Sequence, residues 1–262
     1  MLGIFGDKPI VSSPLFSLFT LNSRWVQTLF KPKDLFLLLL SPTFPGNVSG
    51  ELLVDIGSGP TLHQVMSGCE VFNKVLLTDF LEVNRQELRS WLQDEGGCSL
   101  DWTPFLQHVC KLEGRQPSAW TEKAAKLRQV IMDIVPIDVN HPQPLALDVL
   151  PSAGADCLVS SYCLESVSPD LAAFTRALGH IGRLLWPGGH LLLIGTLGMS
   201  YYIGGPGLKI PTIPVNEAQV CASLKESVAC CFVISDNMNK DAKTICISCF
   251  LISDLYCITV LY

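Results

Sequence analysis

The stretch LLVDIGSGPTLHQ (residues 52–64) begins as a short apolar run and breaks at Gly57-Ser58-Gly59. The run does not alternate between apolar and polar residues. A strand of that kind is buried on both faces, as in a parallel sheet. Glycines at its end let the backbone approach a ligand closely, and an acid, Asp55, stands just before them.

Outward from this turn, strand and helix signals alternate. KVLLTDF (74–80) reads as a second strand, and VNRQELRSWLQDE (83–95) as a helix with Val83, Leu88, Trp91 and Leu92 on one face. AWTEKAAKLRQVIMDIV (119–135) reads as another helix, and IVPIDV (134–139) as a third strand, near an edge or irregular because of Pro136. DCLVSSYCLE (156–165) is expected to be a fourth strand and HLLLIGTL (190–197) a fifth. Between them SPDLAAFTRALGHIGRLLWPGG (168–189) opens with a Ser-Pro cap and closes with Pro-Gly-Gly, a helix with both end signals. The alternation predicts a Rossmann-like α/β fold, a mostly parallel doubly wound sheet with helices on both faces. The expected organisation is an atypical segment 1–42, a domain over 43–226 and a divergent tail 227–262. Within the tail, 229–235 and 244–253 read as strands joined by DNMNKDAK.

Composition narrows the function. Of 262 residues, 48% are hydrophobic and 16% charged, so a core is easily filled. The net charge of −6 and the lack of a basic run argue against a nucleic-acid surface. The 11 cysteines form no paired CxxC motifs, so free, mostly buried thiols in a reducing, cytoplasmic compartment are expected, with no metal site. LFLLLL (35–40) is too short to span a bilayer, and NVS at Asn47 lacks a secretory context. The tail TICISCFLISDLYCITVLY approaches membrane length but is interrupted by Asp254, which leaves an anchor as a secondary reading.

Ligands of open α/β sheets bind beyond the carboxyl ends of the strands. A dinucleotide fingerprint needs a third glycine at position 62, which is Leu, so the pyrophosphate reading weakens. S-adenosylmethionine has no phosphate and needs no such cradle. Asp79 closes the second strand twenty residues after Gly59, the usual place of an acid that binds ribose hydroxyls. Phe80 is placed to pack on an adenine face, and Asp138 to accept from an adenine amino group. Each acid alone has a plainer reading as a helix cap or a solvated group. The glycine turn with acids at the ends of successive strands is much more specific.

LLVDIGSGPT, LLTDFLEVNRQEL, PIDV, CLESVSPDLAAFTRAL and LLWPGGHLLLIG together resemble the class I small-molecule amine N-methyltransferases. These include the phenylethanolamine, nicotinamide and indolethylamine enzymes. TDFLEVNRQELRSWLQ and CLESVSPDL are most similar to the phenylethanolamine branch, which methylates noradrenaline to adrenaline. The resemblance covers about residues 43 to 226. It implies S-adenosylmethionine as cofactor, held by Asp55, Gly57, Ser58, Gly59, Thr61, His63, Asp79, Phe80, Asn84, Asp138, Val139, Ser161 and Tyr162. It implies a monomer acting on a small amine, with Glu165 as catalytic residue and Glu165, Met199 and Tyr202 at the substrate. A carboxylate there can hold the ammonium and relay its proton. The plainer reading is that Glu165 caps the helix starting near Ser168.

The chain departs from the resemblance at His63, where Tyr is usual, and at Gly198 and Met199, where the phenylethanolamine enzymes have a pair of acids. Nicotinamide-type members also lack those acids. Residues 1–42 contain no tyrosine of the kind that forms the family's lid, and 227–262 do not resemble its closing strands. Two readings stay open beside the amine methyltransferase: a nicotinamide- or indolethylamine-type enzyme, and an impaired isoform that binds cofactor without turnover.

Overall fold

The computed structural model describes residues 48–93, 100–205 and 208–227, with backbone alone at 203–205, 208 and 244–250. The segment 1–42 and the expected strand 229–235 lie outside the described residues.

Strand β1 (Gly50–Ile56) is followed by two single 3-10 turns, His63–Val65 and Gly68–Glu70, then β2 (Phe72–Asp79) and helix α1 (Glu82–Gln93). Helices α2 (Thr103–Leu112) and α3 (Trp120–Val130) lead into β3 (Ile131–Pro136). Next come β4 (Ala155–Ser161), the one-turn α4 (Leu164–Val167), α5 (Leu171–Gly182) and β5 (Leu185–Thr196). A hairpin of β6 (Tyr201–Gly205) and β7 (Leu208–Pro211) precedes α6 (Glu217–Ser227), and β8 (Thr244–Phe250) closes the sheet.

The main sheet runs β3-β2-β1-β4-β5-β8. The first five strands are parallel, and β8 pairs antiparallel with β5, Leu192 opposite Ser248. The doubly wound expectation is met. Chain order reverses between β1 and β4, which makes the crevice past their carboxyl ends the natural ligand site.

The two-residue period of the strands divides the core. Leu53, Val75, Leu77, Val159 and Leu192 pack with Leu88 and Trp91 of α1, Phe105 and Leu106 of α2, and Leu127 of α3. Leu52, Val54, Ile56, Leu158 and Leu193 face the other way, against Phe174, Leu178 and Ile181 of α5 and Leu224 of α6. Each such side chain, fully buried, contributes about 1.5–3 kcal/mol. Lys123 is fully buried beside them, between Glu70 (2.9 Å) and Glu113 (2.5 Å), joining the second 3-10 turn to α2 and α3. Losing both carboxylates would leave the Lys123 charge unpaired in the interior, at a cost of about 3–5 kcal/mol.

Several boundaries differ from those expected. The helix expected over 119–135 ends at Val130, and Ile131 turns extended (φ −68°, ψ 108°) to pair with Val75. The third strand is therefore Ile131–Pro136, and Asp138 lies in the loop beyond it. The fourth strand ends at Ser161, because Tyr162 takes a left-handed conformation (φ 54°). The cap of α5 is Asp170, whose carboxylate accepts from Ala173 N (2.7 Å), rather than the Ser-Pro pair. Pro187-Gly188-Gly189 lies inside β5, at a register shift opposite Ala155–Cys157, instead of ending the helix. Helix α2 was not expected. Its apolar residues Phe105, Leu106, Val109 and Cys110 follow a helical period after Pro104 in the first turn.

Candidate active site

The glycine turn is built by interlocking β1 and β2. Ser58 N donates to Thr78 O (2.7 Å), and Thr78 N donates to Ser58 Oγ (3.2 Å). Gly57 (φ 69°) and Gly59 (φ 60°) are left-handed, which glycine adopts without strain. Position 57 has a second constraint: a Cβ there would stand 2.3 Å from Cys163 Sγ.

Beneath the turn, Asp55 is fully buried on the α1–α3 side of the sheet. Gln64 Nε2 donates to Asp55 Oδ2 (2.7 Å), to Ser58 O (3.0 Å) and to Thr61 O (3.1 Å). Gln64 thus clamps the turn onto the strand, and Thr61 Oγ1 closes it by donating to Ser58 O (2.8 Å). Burial pushes the Asp55 carboxyl up to about 7, against the lowering effect of its hydrogen bonds. His63, in the first 3-10 turn, is buried, and burial lowers its imidazole to about 4. Gln64 was not anticipated. Its spacing of three from Thr61, on a short helical turn just after the glycines, was the available signal.

At the end of β2, Asp79 is almost wholly buried. It accepts from Gly59 N (2.8 Å), Leu81 N (2.8 Å) and Asn84 Nδ2 (2.9 Å). A carboxylate has roughly four lone-pair sites, so one remains for a ligand hydroxyl. Burial raises its carboxyl above the usual range. Two nearby groups lack the partners that buried polar atoms normally have: Asn84 Oδ1 and, across the crevice, Ser161 Oγ. Phe80 is 46% exposed, an aromatic face turned to solvent directly beside Asp79.

Asp138 and Val139 lie two and three residues past β3, in a loop that folds back on itself. Asp138 Oδ1 accepts from Asn140 N (3.0 Å), and Asp138 N donates to Pro144 O (3.0 Å). Val139 is buried against the α5 side of the core.

The β4 end forms the floor of the crevice. Left-handed Tyr162 is held by its N–H on Ile194 O (2.8 Å) and by Ser166 Oγ donating to its carbonyl (2.8 Å). A non-glycine residue in this region costs about 1–3 kcal/mol and persists only where its surroundings over-determine it. The next residue, Cys163, packs on Gly57 and lies within the field of Asp79, Glu165 and Asp55; burial first, and those carboxylates second, raise its thiol. The strained turn therefore joins the glycine turn to Glu165.

Glu165 does not end the strand. It sits in α4, only 3% exposed, with its carbonyl accepting from Ile213 N (3.0 Å) and Oε1 accepting from Thr196 N (3.3 Å). Nor does it cap α5, since Asp170 fills that role. A small cavity of about 20 Å³ adjoins it, lined by Phe174, Leu193, Leu197 and Val215. In this apolar setting burial pushes the carboxyl up to about 7. Tyr202, on β6, lies beside Glu165 and Cys163, and burial raises its phenol well above the ordinary range. Met199 is 42% exposed before the hairpin, its carbonyl accepting from Thr212 Oγ1 (2.7 Å). Among the described residues, no cluster of His, Cys, Asp and Glu fits a metal ion. None of the described helices is long and apolar enough to cross a membrane.

Comparison with known proteins agrees with this architecture. Two solved structures share the fold. One is a 1,6-didemethyltoxoflavin-N1-methyltransferase of Burkholderia thailandensis with bound S-adenosylhomocysteine (TM-score 0.54, 13% identity, 91% of this chain and 88% of that one). The other is an S-adenosylmethionine-dependent methyltransferase of Clostridium acetobutylicum (TM-score 0.55, 9% identity, 88% and 96%). In sequence, the chain is 52% identical over 193 residues to the phenylethanolamine N-methyltransferase of Bos taurus, covering 73% of this chain and 67% of that protein. It is 50% identical over 189 residues to the enzyme of Homo sapiens (72% and 66%). The human nicotinamide N-methyltransferase is 42% identical over 180 residues (69% and 66%). The match thus spans about two thirds of these relatives' length. The profile of the NNMT/PNMT/TEMT family matches residues 28–253, and the chain belongs to that family.

Proposed function

We propose that residues 43–226, with β8 closing their sheet, form an S-adenosylmethionine-dependent N-methyltransferase domain, acting as a cytoplasmic monomer on a small amine of the phenylethanolamine type. The buried free thiols of Cys69, Cys110 and Cys157 fit a reducing compartment. The bound cofactor supplies an electrophilic methyl group on a sulfonium sulfur. The residues around the glycine turn suit such a nucleoside ligand. Asp79 has a lone pair left for a ribose hydroxyl, Phe80 offers an open ring for the adenine, and Asn84 Oδ1 and Ser161 Oγ are buried without partners. The turn presents backbone, and nothing in it cradles a pyrophosphate.

Methyl transfer is an in-line displacement, so orientation supplies most of the acceleration. The amine must also present a lone pair, and a free aliphatic amine is protonated below pH of about 10. The observation that carries the proposal is the buried Glu165, whose carboxyl is pushed up to about 7 beside Tyr202. Near neutral pH part of the Glu165 population is carboxylate, which holds the arriving ammonium and orients its nitrogen; as the nitrogen attacks, the carboxylate takes the proton and passes it to solvent. Tyr202 and the apolar wall exclude water around this pair.

Exposed Met199 favours a second reading, an acceptor with an uncharged ring nitrogen such as a pyridine, because among the described residues no second carboxylate stands at that position to hold a cation. Methyl transfer from labelled S-adenosylmethionine to a panel of phenylethanolamines, indolethylamines and pyridines decides between them. Turnover of a phenylethanolamine supports the proposal. Turnover of pyridines alone favours the second reading, and cofactor binding with no turnover identifies a binding module.

A further inference from the structure

The loop after β3 carries Asp138 and Val139, yet little of it is packed. Residues 140–143 and 146–148 are exposed, and only Val139, Pro144 and Leu145 among its middle residues are buried. Its internal bonds shape the turn without fixing where the turn sits over the sheet. Val139 and Leu145 anchor it in the core against α5, and two polar bonds reach its carbonyls from the end of that helix, 41 residues further along the chain. His180 Nδ1 lies 2.9 Å from Val139 O, and Arg183 Nη2 donates to Pro142 O (2.7 Å). A carbonyl only accepts, so His180 Nδ1 bears the proton. The two residues are three apart at the end of α5 and so project from one side of it.

We propose that His180 and Arg183 are positioning residues of the cofactor site, a two-point latch that holds the Val139 loop at the adenine side of the crevice. This rests on the reading of Asp138 and Val139 as the adenine frame. Neither latch residue touches the ligand. They act by keeping the loop in its competent place, and apparent affinity falls in proportion to any loss of that population. One hydrogen bond of ordinary net strength corresponds to about a fivefold change.

The test is calorimetric titration of the full chain with S-adenosylhomocysteine and with adenosine alone. His180→Ala is expected to weaken both ligands about fivefold, and the double variant with Arg183→Met by more than tenfold. His180→Asn should restore affinity to within about twofold, because the Asn amide nitrogen is as many bonds from Cα as histidine Nδ1. In turnover, the cofactor KM rises while kcat is kept. A merely structural role would lower the thermal midpoint in proportion, with no rescue of affinity by Asn. Unchanged affinity in the double variant, or a loss that Asn does not repair, overturns the latch while leaving the cofactor reading intact. No binding by the unmodified chain refutes the cofactor reading itself. Arg183 is exposed, so Arg183→Met alone remains a valid arm if His180 variants fold poorly.

Discussion

Replacing Gly195 by Ala should displace Glu165 without touching the cofactor turn. Gly195 lies on β5 outside the left-handed region, so alanine meets no backbone strain there. The obstacle is the carboxylate. An alanine Cβ would lie 2.9 Å from Glu165 Oε1 and 3.2 Å from its Cδ. Ordinary contacts begin near 3.4 Å, so the carboxylate must retreat by about half an ångström. The Thr196 N bond, already 3.3 Å, does not survive that movement. A misplacement of about 1 Å costs roughly a hundredfold in rate, so half of it should cost about tenfold in kcat/KM. Steady-state methyl transfer to a basic amine measures this, with S-adenosylhomocysteine affinity as the control. In a Glu165→Gln background, Gly195→Ala should add almost nothing, because both changes act through one carboxylate. Full activity in Gly195→Ala, or an equal loss in both backgrounds, would mean that position 195 does not act through the Glu165 carboxylate.

Glu165→Gln should lower kcat/KM for a basic amine about a hundredfold and for a pyridine much less, since the pyridine needs no deprotonation; equal losses on both substrates would make Glu165 structural. Two buried carboxyls also bear on stability. Asp55 and Glu165 have ordinary values of 3.8 and 4.5, and burial pushes both up to about 7 in the folded chain. Below about pH 4 both states hold these protons, and from there to about 7 only the folded state does. Stability of the ligand-free chain should therefore fall as pH rises through that window and level off above it. Asp55→Asn should flatten the fall, as followed by thermal midpoints across the range. A midpoint that rises over the same window in both chains would contradict the burial argument.

The sheet was legible because its strands are continuous apolar runs ended by glycine or acid, a pattern that buried parallel strands require. The glycine turn and Asp79 were legible for the same reason, since they mark strand ends. What failed were boundaries set by tertiary contact. Ile131 leaves the helix because Val75 offers it a register, and nothing local announces that. Pro187-Gly188-Gly189 carries every mark of a helix stop, yet it is drawn into β5 at a bulge where a Cβ on Gly189 would lie 2.9 Å from Ala155 O. The left-handed Tyr162 moved Glu165 from a strand end into a helix of its own, and no residue type predicts that conformation at tyrosine. Gln64, His180 and Arg183 are not legible because each acts mainly through backbone carbonyls, whose partners no residue type announces.

The proposed function requires a nucleoside ligand over Gly57–Gly59 with its ribose on Asp79. Calorimetric titration of S-adenosylmethionine into the unmodified chain and into Asp79→Ala tests it most directly. The unmodified chain should bind, and the variant should lose about 1–3 kcal/mol, roughly five- to 150-fold, as ribose hydroxyls lose a charged acceptor. Equal affinities for the two chains would contradict it.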